Sequence, residues 1–289
     1  MSVIAVCVRH IDWKQSAPFL LVHLLALIGV FVVPFSWAWV GGALLSYYVR
    51  MFAITAGYHR YFSHRSFRTG RVFQFVLAYL GGTAAQKGAL WWSAHHRHHH
   101  LESDTPNDLH SPVQSGFWWS HVGWIMSGRH NATQWHRIKD FAVYPELRWL
   151  NRYNFVPFLS YSFLMYGIGG WTGLVWGFFV STVWLWHGVF TVNSLNHVLG
   201  SRRYATDDNS RNNWVLAILT MGEGWHNNHH HYQSAARQGF YWWELDVSYY
   251  LLKGFELLGI VWDVRDVPLK VRDGKPAPAA VLVGSNQAT

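Results

Sequence analysis

The stretch that decides the fold is 17–49, APFLLVHLLALIGVFVVPFSWAWVGGALLSYYV, which contains no Asp, Glu, Lys or Arg. One helix of this length would measure about 50 Å, well beyond the roughly 30 Å hydrocarbon core of a bilayer. The Pro-Phe-Ser sequence at 34–36 interrupts it near the middle. We therefore predict two membrane spans, at about 17–33 and 37–57, the second running past Arg50 toward the interface. A single tilted span is the alternative.

A second uncharged stretch, 153–201, repeats the pattern, with the glycine-rich GIGGWTG at 167–173 as its interruption. It predicts spans at about 154–168 and 171–192. The uncharged segment 72–86 has only 15 residues, too few for a full span, and suits a re-entrant or interfacial helix. The predicted fold is therefore an all-α integral membrane protein, with four transmembrane helices in two hairpins plus re-entrant or interfacial helices.

The composition agrees with a membrane protein. Only 13% of the 289 residues are charged and 51% are hydrophobic, whereas soluble domains have about 25% charged residues. The net charge of +8 is compatible with nucleic acid or an anionic membrane, but the apolar stretches favour the membrane, and we expect no nucleic-acid partner. The single Cys excludes a disulfide framework. We expect one domain over 1–272 and a disordered tail over 273–289.

The basic residues indicate the orientation. Arg9 and Lys14 precede the first span, and neither predicted hairpin turn contains Lys or Arg. The remaining basic residues lie in or next to 50–152 and 202–275. By the positive-inside rule, both termini and both large loops are predicted to be cytoplasmic.

Three histidine clusters stand out: the first is His59 and His64, the second is His95, His96, His98, His99 and His100, and the third is His226, His229, His230 and His231. The second and third clusters share the spacing His-x-x-His-His, and residues three and four apart lie on one face of a helix. Each triplet is therefore expected to aim three imidazoles at one point. A shifted register, His95/His98/His99, is the alternative in the second cluster. The nine candidate ligands are His59, His64, His96, His99, His100, His197, His226, His229 and His230.

Nine imidazoles are too many for one zinc site, which needs about four ligands. They suit two ions with open positions for water or dioxygen, in a histidine-rich di-metal cap on the cytosolic side. Imidazole binds Zn, Cu, Fe and Ni alike. Because paired open ions without a carboxylate-rich ligand set suit oxygen activation, we expect iron, with zinc as a possible substitute. Asn193 lies four residues before His197 and is expected to share its helical face.

Four stretches carry a family resemblance in addition to the His96 cluster: GYHRYFSHR at 57–65, SHVGW at 120–124, Asn193-Ser194 with His197, and GEGWHNNHH at 222–230. Over about 20–265 the chain resembles the integral-membrane fatty acid desaturases, most closely the acyl-CoA (stearoyl-CoA-type) branch. The resemblance implies four spans, a cytosolic di-iron centre held by the nine histidines, Asn193 reaching one metal through water, and a buried acyl tunnel. It implies that dioxygen and two electrons produce a cis double bond, usually between carbons 9 and 10.

The substrate and the electron donor are less closely specified. Acyl-CoA desaturases carry Arg-Asp and a basic pair where this chain has Ala94-His95 and Gly128-Arg129. Only Arg129 keeps the charge and is a candidate substrate-binding residue. A long-chain acyl-CoA is the expected substrate, with an acyl-phospholipid or acyl-carrier substrate as the alternative. A hydroxylase or ketolase with the same metal centre is a second alternative. The sequence contains no His-Pro-Gly-Gly element of the kind found in cytochrome b5 domains. The electrons are therefore expected to come from a separate ferredoxin, cytochrome or flavoprotein.

The far end of the tunnel is predicted from helical spacing. Counting back from His59 along the second span, the residues on its face include Thr55, Met51 and Tyr47. The chain beyond the reactive carbon needs about eight helical residues of depth, at roughly 1.5 Å each. That depth places the end of the tunnel near Met51, with Tyr47 one turn further as a possible stopper.

Overall fold

The computed structural model describes residues 11–274, which are mostly helical. The α-helices in chain order are α1 Trp13–Val32, α2 Trp37–Phe52, α3 Arg71–Gly82, α4 Ala89–Glu102, α5 Pro112–Ser115, α6 Trp124–Met126, α7 Lys139–Ala142, α8 Pro145–Arg152, α9 Phe155–Gly173, α10 Ser181–Leu195, α11 Trp214–Leu219, α12 His226–His231, α13 Val247–Leu257 and α14 Leu269–Arg272. Three π-helical segments are Ala53–Ser63, Trp119–Gly123 and Leu174–Val180, and a short 3₁₀-helix is Trp135–Arg137.

The first apolar stretch forms α1 and α2, which are separated near the predicted Pro-Phe-Ser break. The break is extended at both sides, because Val33 and Ser36 have β-region dihedrals. Asp12 begins α1 by accepting a hydrogen bond from the backbone N–H of Gln15 at 3.2 Å. The helix α2 ends at Phe52, inside the predicted span, and continues directly into the π-helix Ala53–Ser63, which extends beyond the predicted end at 57.

The second apolar stretch is a helical hairpin. The apolar run Phe155–Ser194 has 40 residues, which is about 60 Å of helix and too long for one membrane crossing. Gly169 and Gly170 break it, and Gly170 has φ +56°, a conformation that favours glycine. The two arms pack against each other, with the rings of Phe158 and Phe178 4.5 Å apart. This break lies within the predicted turn.

By length and composition, α1 and the run Phe155–Ser194 are the helices of the described chain that could cross a membrane. Large apolar side chains lie exposed along both, as at Phe31 (83%) and Phe163 (73%). Exposed apolar side chains in such number suit a lipid environment. The structure therefore agrees with a membrane-embedded protein.

Polar groups inside the bundle are satisfied by other parts of the chain. Arg50 is 1% exposed rather than at an interface, and its guanidinium donates to the carbonyl of Thr83 at 3.3 Å and to Oγ1 of Thr182 at 2.8 Å. His23 and His187, both inside apolar helices, are hydrogen-bonded to each other at 3.1 Å between their Nε2 atoms. These contacts join α1, α2 and α10.

Three smaller elements complete the frame of the site. The helix α3 has 12 residues, about 18 Å, and is too short to cross a bilayer, as expected for the segment 72–86. The prediction of an all-α chain was wrong in one detail: β1 (Arg68–Thr69) pairs antiparallel with β2 (Val261–Trp262). This ribbon ties the segment after the first histidine cluster to the C-terminal part of the chain. The tail beyond 274 lies outside the described residues.

Candidate metal centre

The nine candidate histidines converge into two groups. The five-histidine cluster contains His59, His64, His96, His100 and His229, and the four-histidine cluster contains His99, His197, His226 and His230. Within each cluster the possible ligand nitrogens lie within 4.8 Å of one another. Each cluster therefore brings enough nitrogen atoms together to hold one metal ion.

The nitrogen spacing within the clusters suits metal binding. In the five-histidine cluster, the Nε2 of His96 lies 2.9 Å from the Nε2 atoms of both His64 and His100, and the Nε2 of His229 lies 3.0 Å from that of His59. Two nitrogens bound at right angles to one ion at about 2.1 Å would lie about 3.0 Å apart. A neutral imidazole has one N–H, so convergence of several Nε2 atoms is better satisfied by a shared ion.

The two His-x-x-His-His triplets do not each aim at one point, because the three histidines of each triplet are divided between the two clusters. In α4, His96 and His100 face the five-histidine cluster, whereas His99 faces the other. In α12, His226 and His230 share the four-histidine cluster and His229 faces the five-histidine cluster. Residues four apart are separated by only about 40° around a helix, but adjacent residues are separated by about 100°. The expectation that each triplet aims at one point was therefore wrong.

The first histidine pair depends on a π-helix. His59 and His64 are five residues apart, a spacing that would place them on different faces of an α-helix. In the π-helix Ala53–Ser63 the backbone bonds follow an i→i+5 pattern, and the N–H of His64 accordingly donates to the carbonyl of His59 at 3.2 Å. Their ring centroids lie 4.9 Å apart.

Four ligand candidates are oriented by carboxylates on their other ring nitrogen. The Nδ1 of His99 faces Asp108 at 3.0 Å, and that of His197 faces Asp104 at 2.9 Å. Asp208 contacts His230 in the same way, and Glu223 contacts His59. Such contacts hold the proton on Nδ1 and leave Nε2 for a metal. Three of the four pairs belong to the four-histidine cluster, which is therefore the more strongly carboxylate-supported of the two.

Two further observations test whether these residues fit a metal. The buried Nε2 of His230 has no hydrogen-bond partner within the described chain, as expected for a ligand atom. Burial and the neighbouring imidazoles lower the pKa values of five histidines well below the usual value, so that they are neutral and can coordinate at pH 7. These five are His64, His96, His100, His226 and His229.

The acid partners remain ionised. Burial alone would raise the pKa of Asp104, yet the hydrogen bond from His197 lowers it to about 2. The pKa of Asp208 is also lowered by His230, against the effect of burial. The chemistry of the donor set, neutral imidazole backed by carboxylate, fits a transition-metal ion such as iron or zinc.

Asn193 and His197 occupy different settings. Asn193 lies in α10, but the helix ends at Leu195 and His197 lies in the following turn. The expectation that they share a helical face was therefore wrong, although both lie at the site. His95 and His98 lie outside both clusters, and His95 Nδ1 bonds the carbonyl of Trp91 at 2.8 Å. The structure does not support the shifted register.

Two cavities reach the clusters. The larger has a volume of about 380 Å³ and is bounded by residues from α1, α4, α9 and α10. The smaller, about 40 Å³, lies against both clusters and contains His59, His99 and His226 in its wall. Four residues line both cavities: Trp92, His96, Val189 and Asn193. The two cavities are therefore adjacent at these four residues, next to the histidine clusters.

The three residues predicted to bind substrate are placed differently. Met51 lines the smaller cavity. Tyr47 lines neither of the two cavities, and its hydroxyl donates to the carbonyl of Leu219 at 2.7 Å. Arg129 is exposed and also outside both cavity walls, whereas His130 and Asn131 line the larger cavity. The cavity wall also contains Lys87, a residue that sequence reasoning missed. Its signal was a lone cation between the uncharged segment 72–86 and the second histidine cluster.

Comparison with known proteins gives the family. The chain matches the family model for fatty acid desaturases over residues 15–254, and it belongs to that family. An sn-1 stearoyl-lipid 9-desaturase from Anabaena variabilis is 39% identical over 258 residues, covering 89% of this chain and 94% of that protein. A delta-9 acyl-lipid desaturase 1 from Arabidopsis thaliana is 36% identical over 260 residues, 89% of this chain and 84% of that protein.

An acyl-CoA 5-desaturase AL21 from Anemone leveillei is 38% identical over 257 residues, 88% of this chain and 79% of that protein. The predicted oxidoreductase of lipid metabolism is thus confirmed at the level of the family. Assignment to the acyl-CoA branch is not, because the relatives are mainly acyl-lipid desaturases. Lipid-bound acyl chains, the alternative from the sequence, agree better with these relatives.

Proposed function

We propose that this protein is a membrane-bound di-iron desaturase that introduces a cis double bond at carbon 9 of acyl chains esterified in lipids. The observation that carries the proposal is the larger cavity. Its wall includes the apolar side chains of Phe19, Val22 and Phe190, and it shares His96 and Asn193 with the smaller cavity, which borders both histidine clusters. An apolar cavity of this kind holds an alkyl chain that offers no polar group for recognition. The names of the relatives support the lipid ester and the carbon position.

The nine histidines are proposed as ligands of two irons, with Asn193 reaching one of them through water. The chemistry that iron would supply there is the reduction of dioxygen to water. The balance is –CH₂–CH₂– + O₂ + 2 e⁻ + 2 H⁺ → –CH=CH– + 2 H₂O. The electrons are proposed to come from a separate ferredoxin, cytochrome or flavoprotein.

The chain's own residues position and protect the reacting carbons. Asp104, Asp108 and Asp208 hold their partner imidazoles by the Nδ1 proton, so that the rings cannot rotate out of the site. Apolar side chains of the cavity exclude water and restrict the alkyl chain to one path past His96 and Asn193. Met51 lies at the wall of the smaller cavity beyond the clusters, where the methyl end of the chain would lie.

Four membrane spans are proposed, two in each apolar hairpin, with the clusters and both termini in the cytoplasm. The breaks between α1 and α2 and at Gly169–Gly170 support this arrangement. In a Cys7→Ser background, Phe35→Cys should react with an impermeant maleimide on intact cells. Arg129→Cys should react only after permeabilisation. The opposite labelling pattern would contradict the proposed orientation.

The function is tested by expression in a host without desaturases, followed by fatty acid analysis, location of the double bond and separation of lipid classes. We expect a cis-9 product in lipid-bound chains, which His229→Ala abolishes. His231→Ala is the matched control from the same helix, because its ring stacks on Tyr204 outside both clusters. Product confined to acyl-CoA would favour the second candidate, supported by the acyl-CoA relative. A hydroxylated product would overturn the proposal.

A further inference from the structure

The wall of the larger cavity contains one lysine, placed at the beginning of the helix that carries the second histidine cluster. Lys87 directly precedes Gly88, the N-cap of α4, and has φ +64°, a left-handed conformation. The backbone next to Lys87 is held against Asn151. The Oδ1 of Asn151 accepts a hydrogen bond from the N–H of Trp91 at 2.8 Å, and Gly88 packs so closely that a Cβ there would lie 2.6 Å from the Cα of Asn151.

The ammonium of Lys87 is held over the cavity without an acid. Its Nζ donates to Oδ1 of Asn131 at 2.6 Å and lies 4.4 Å from the ring centroid of Trp91. No carboxylate of the described chain pairs with it. Burial lowers the pKa of Lys87 to about 8, so the group is still mostly cationic at pH 7. The positive end of α4 adds to the same field, and this place therefore attracts an oxygen atom of a ligand.

The helix α4 also sets a distance. From Gly88 to His96 the helix advances about 12 Å, at roughly 1.5 Å per residue. A fully extended acyl chain advances about 1.2 Å per carbon–carbon bond. Carbon 1 and carbon 9, separated by eight such bonds, therefore lie about 10 Å apart. With carbon 9 beside His96, the carbonyl of the ester would lie near Lys87.

We propose that Lys87, together with the amide of Asn131, binds the carbonyl oxygen of the substrate's ester and thereby fixes which carbons reach the histidine clusters. Because Oδ1 of Asn131 accepts from Lys87, the NH₂ group of the same amide is a second donor at this place. The inference rests on the proposed function, since it assumes an acyl ester with its chain in the larger cavity. It identifies Lys87 as a specificity-determining residue that lies outside both histidine clusters.

The test compares an ester with an ether. Phosphatidylglycerol with a stearoyl ester at sn-1 and its 1-O-octadecyl ether have the same chain, but the ether lacks the carbonyl. Binding to purified protein is followed by tryptophan fluorescence, since Trp91 and Trp92 line the cavity. Wild type should bind the ester roughly tenfold more tightly, the usual effect of a hydrogen bond to a charged group. Lys87→Met should lose this preference, and Lys87→Arg should keep most of it.

The second measurement is the double-bond distribution made from the ester. Wild type and the control Lys139→Met, an exposed lysine outside the cavity, should give one position, whereas Lys87→Met should give several neighbouring positions. Stearoyl-CoA, tested in parallel, shows whether a thioester carbonyl is bound in the same way. Unchanged ester preference and a single bond position in Lys87→Met would overturn the inference while leaving the desaturase function intact. A wild type that prefers the ester but desaturates none of these substrates would instead overturn the proposed function.

Discussion

The proposed substrate path has an inner end at the two histidine clusters, which border the smaller cavity, and an outer end at Lys87 in the wall of the larger cavity. The two ends differ in how firmly they are built. At the inner end, ring nitrogens converge at about 3 Å, and carboxylates such as Asp108 and Asp104 support the rings from behind. At the outer end, Lys87 and Asn131 come from separate segments and share a single hydrogen bond. The comparison indicates a division of work, in which the inner end determines whether the reaction occurs and the outer end determines which carbon reacts.

The largest expected effect separates the two clusters of the inner end. His226→Ala leaves three histidines in the four-histidine cluster and should reduce the metal content from two ions to about one per chain. His229→Ala leaves four histidines in the other cluster, enough for one ion, so its metal content should stay near two. Both variants should lose desaturation. Elemental analysis of the purified proteins checks this, and equal metal loss in both would contradict the assignment of ligands.

A smaller effect is expected from the carboxylates behind the ligands. Asp208→Asn removes the charge that orients His230 and should weaken metal binding at the four-histidine cluster by about 10–100-fold. The metal affinity is measured by competition with a chelator. Asp207→Asn, at an adjacent position, is the control. Wild-type affinity in Asp208→Asn would show that the cluster does not depend on this support.

At the outer end, the titration of Lys87 should make the KM for the ester substrate depend on pH. The pKa of Lys87 is lowered to about 8 by burial, so the ammonium loses its proton as the pH rises from 7 to 9. Binding of the ester carbonyl should weaken over this range, raising KM several-fold with little change in kcat. Burial also lowers the pKa of nearby His95, to about 4, and that of His130, so neither titrates there.

The matched variant for this profile is Lys87→Arg, which stays charged up to pH 9. Its KM should be constant over the same range. A rise in KM that is identical in Lys87→Arg would assign the pH dependence to another group.

The smallest expected effect concerns the chain beyond the clusters. Met51 lines the smaller cavity, so Met51→Ala should admit about two more methylenes and shift the preference toward longer chains, without moving the double bond. Tyr47→Ala should leave the chain-length preference unchanged, because Tyr47 lies outside both cavity walls. Product analysis with chains of graded length checks this. A shift toward longer chains in Tyr47→Ala but not in Met51→Ala would assign the end of the tunnel to Tyr47.

The sequence predicted the inner end better than the outer one. Local spacing identified the nine histidines and both interruptions of the apolar stretches, since helical periodicity and glycine or proline breaks are short-range properties. It could not predict the division of each triplet, because that depends on where the partner cluster lies. The π-helix that aligns His59 with His64 also has no marker in a single sequence.

Contacts between distant segments were beyond sequence reasoning. Lys87 and Asn131 are 44 residues apart, and Arg50 is buried by partners from α10 and the loop after α3. Arg129 was selected because it kept a charge, but its neighbours His130 and Asn131 line the cavity instead. Which side of a loop faces a cavity depends on the packing of the whole chain.

The central claim, that two irons held by nine histidines perform the desaturation, is tested most directly by metal reconstitution. Because Zn²⁺ generally binds nitrogen ligands more tightly than Fe²⁺, protein purified with zinc is compared with protein loaded with iron, using the same donor and lipid. We predict two metals per chain in both preparations and desaturation only with iron. One metal per chain, or full activity with zinc, would contradict it.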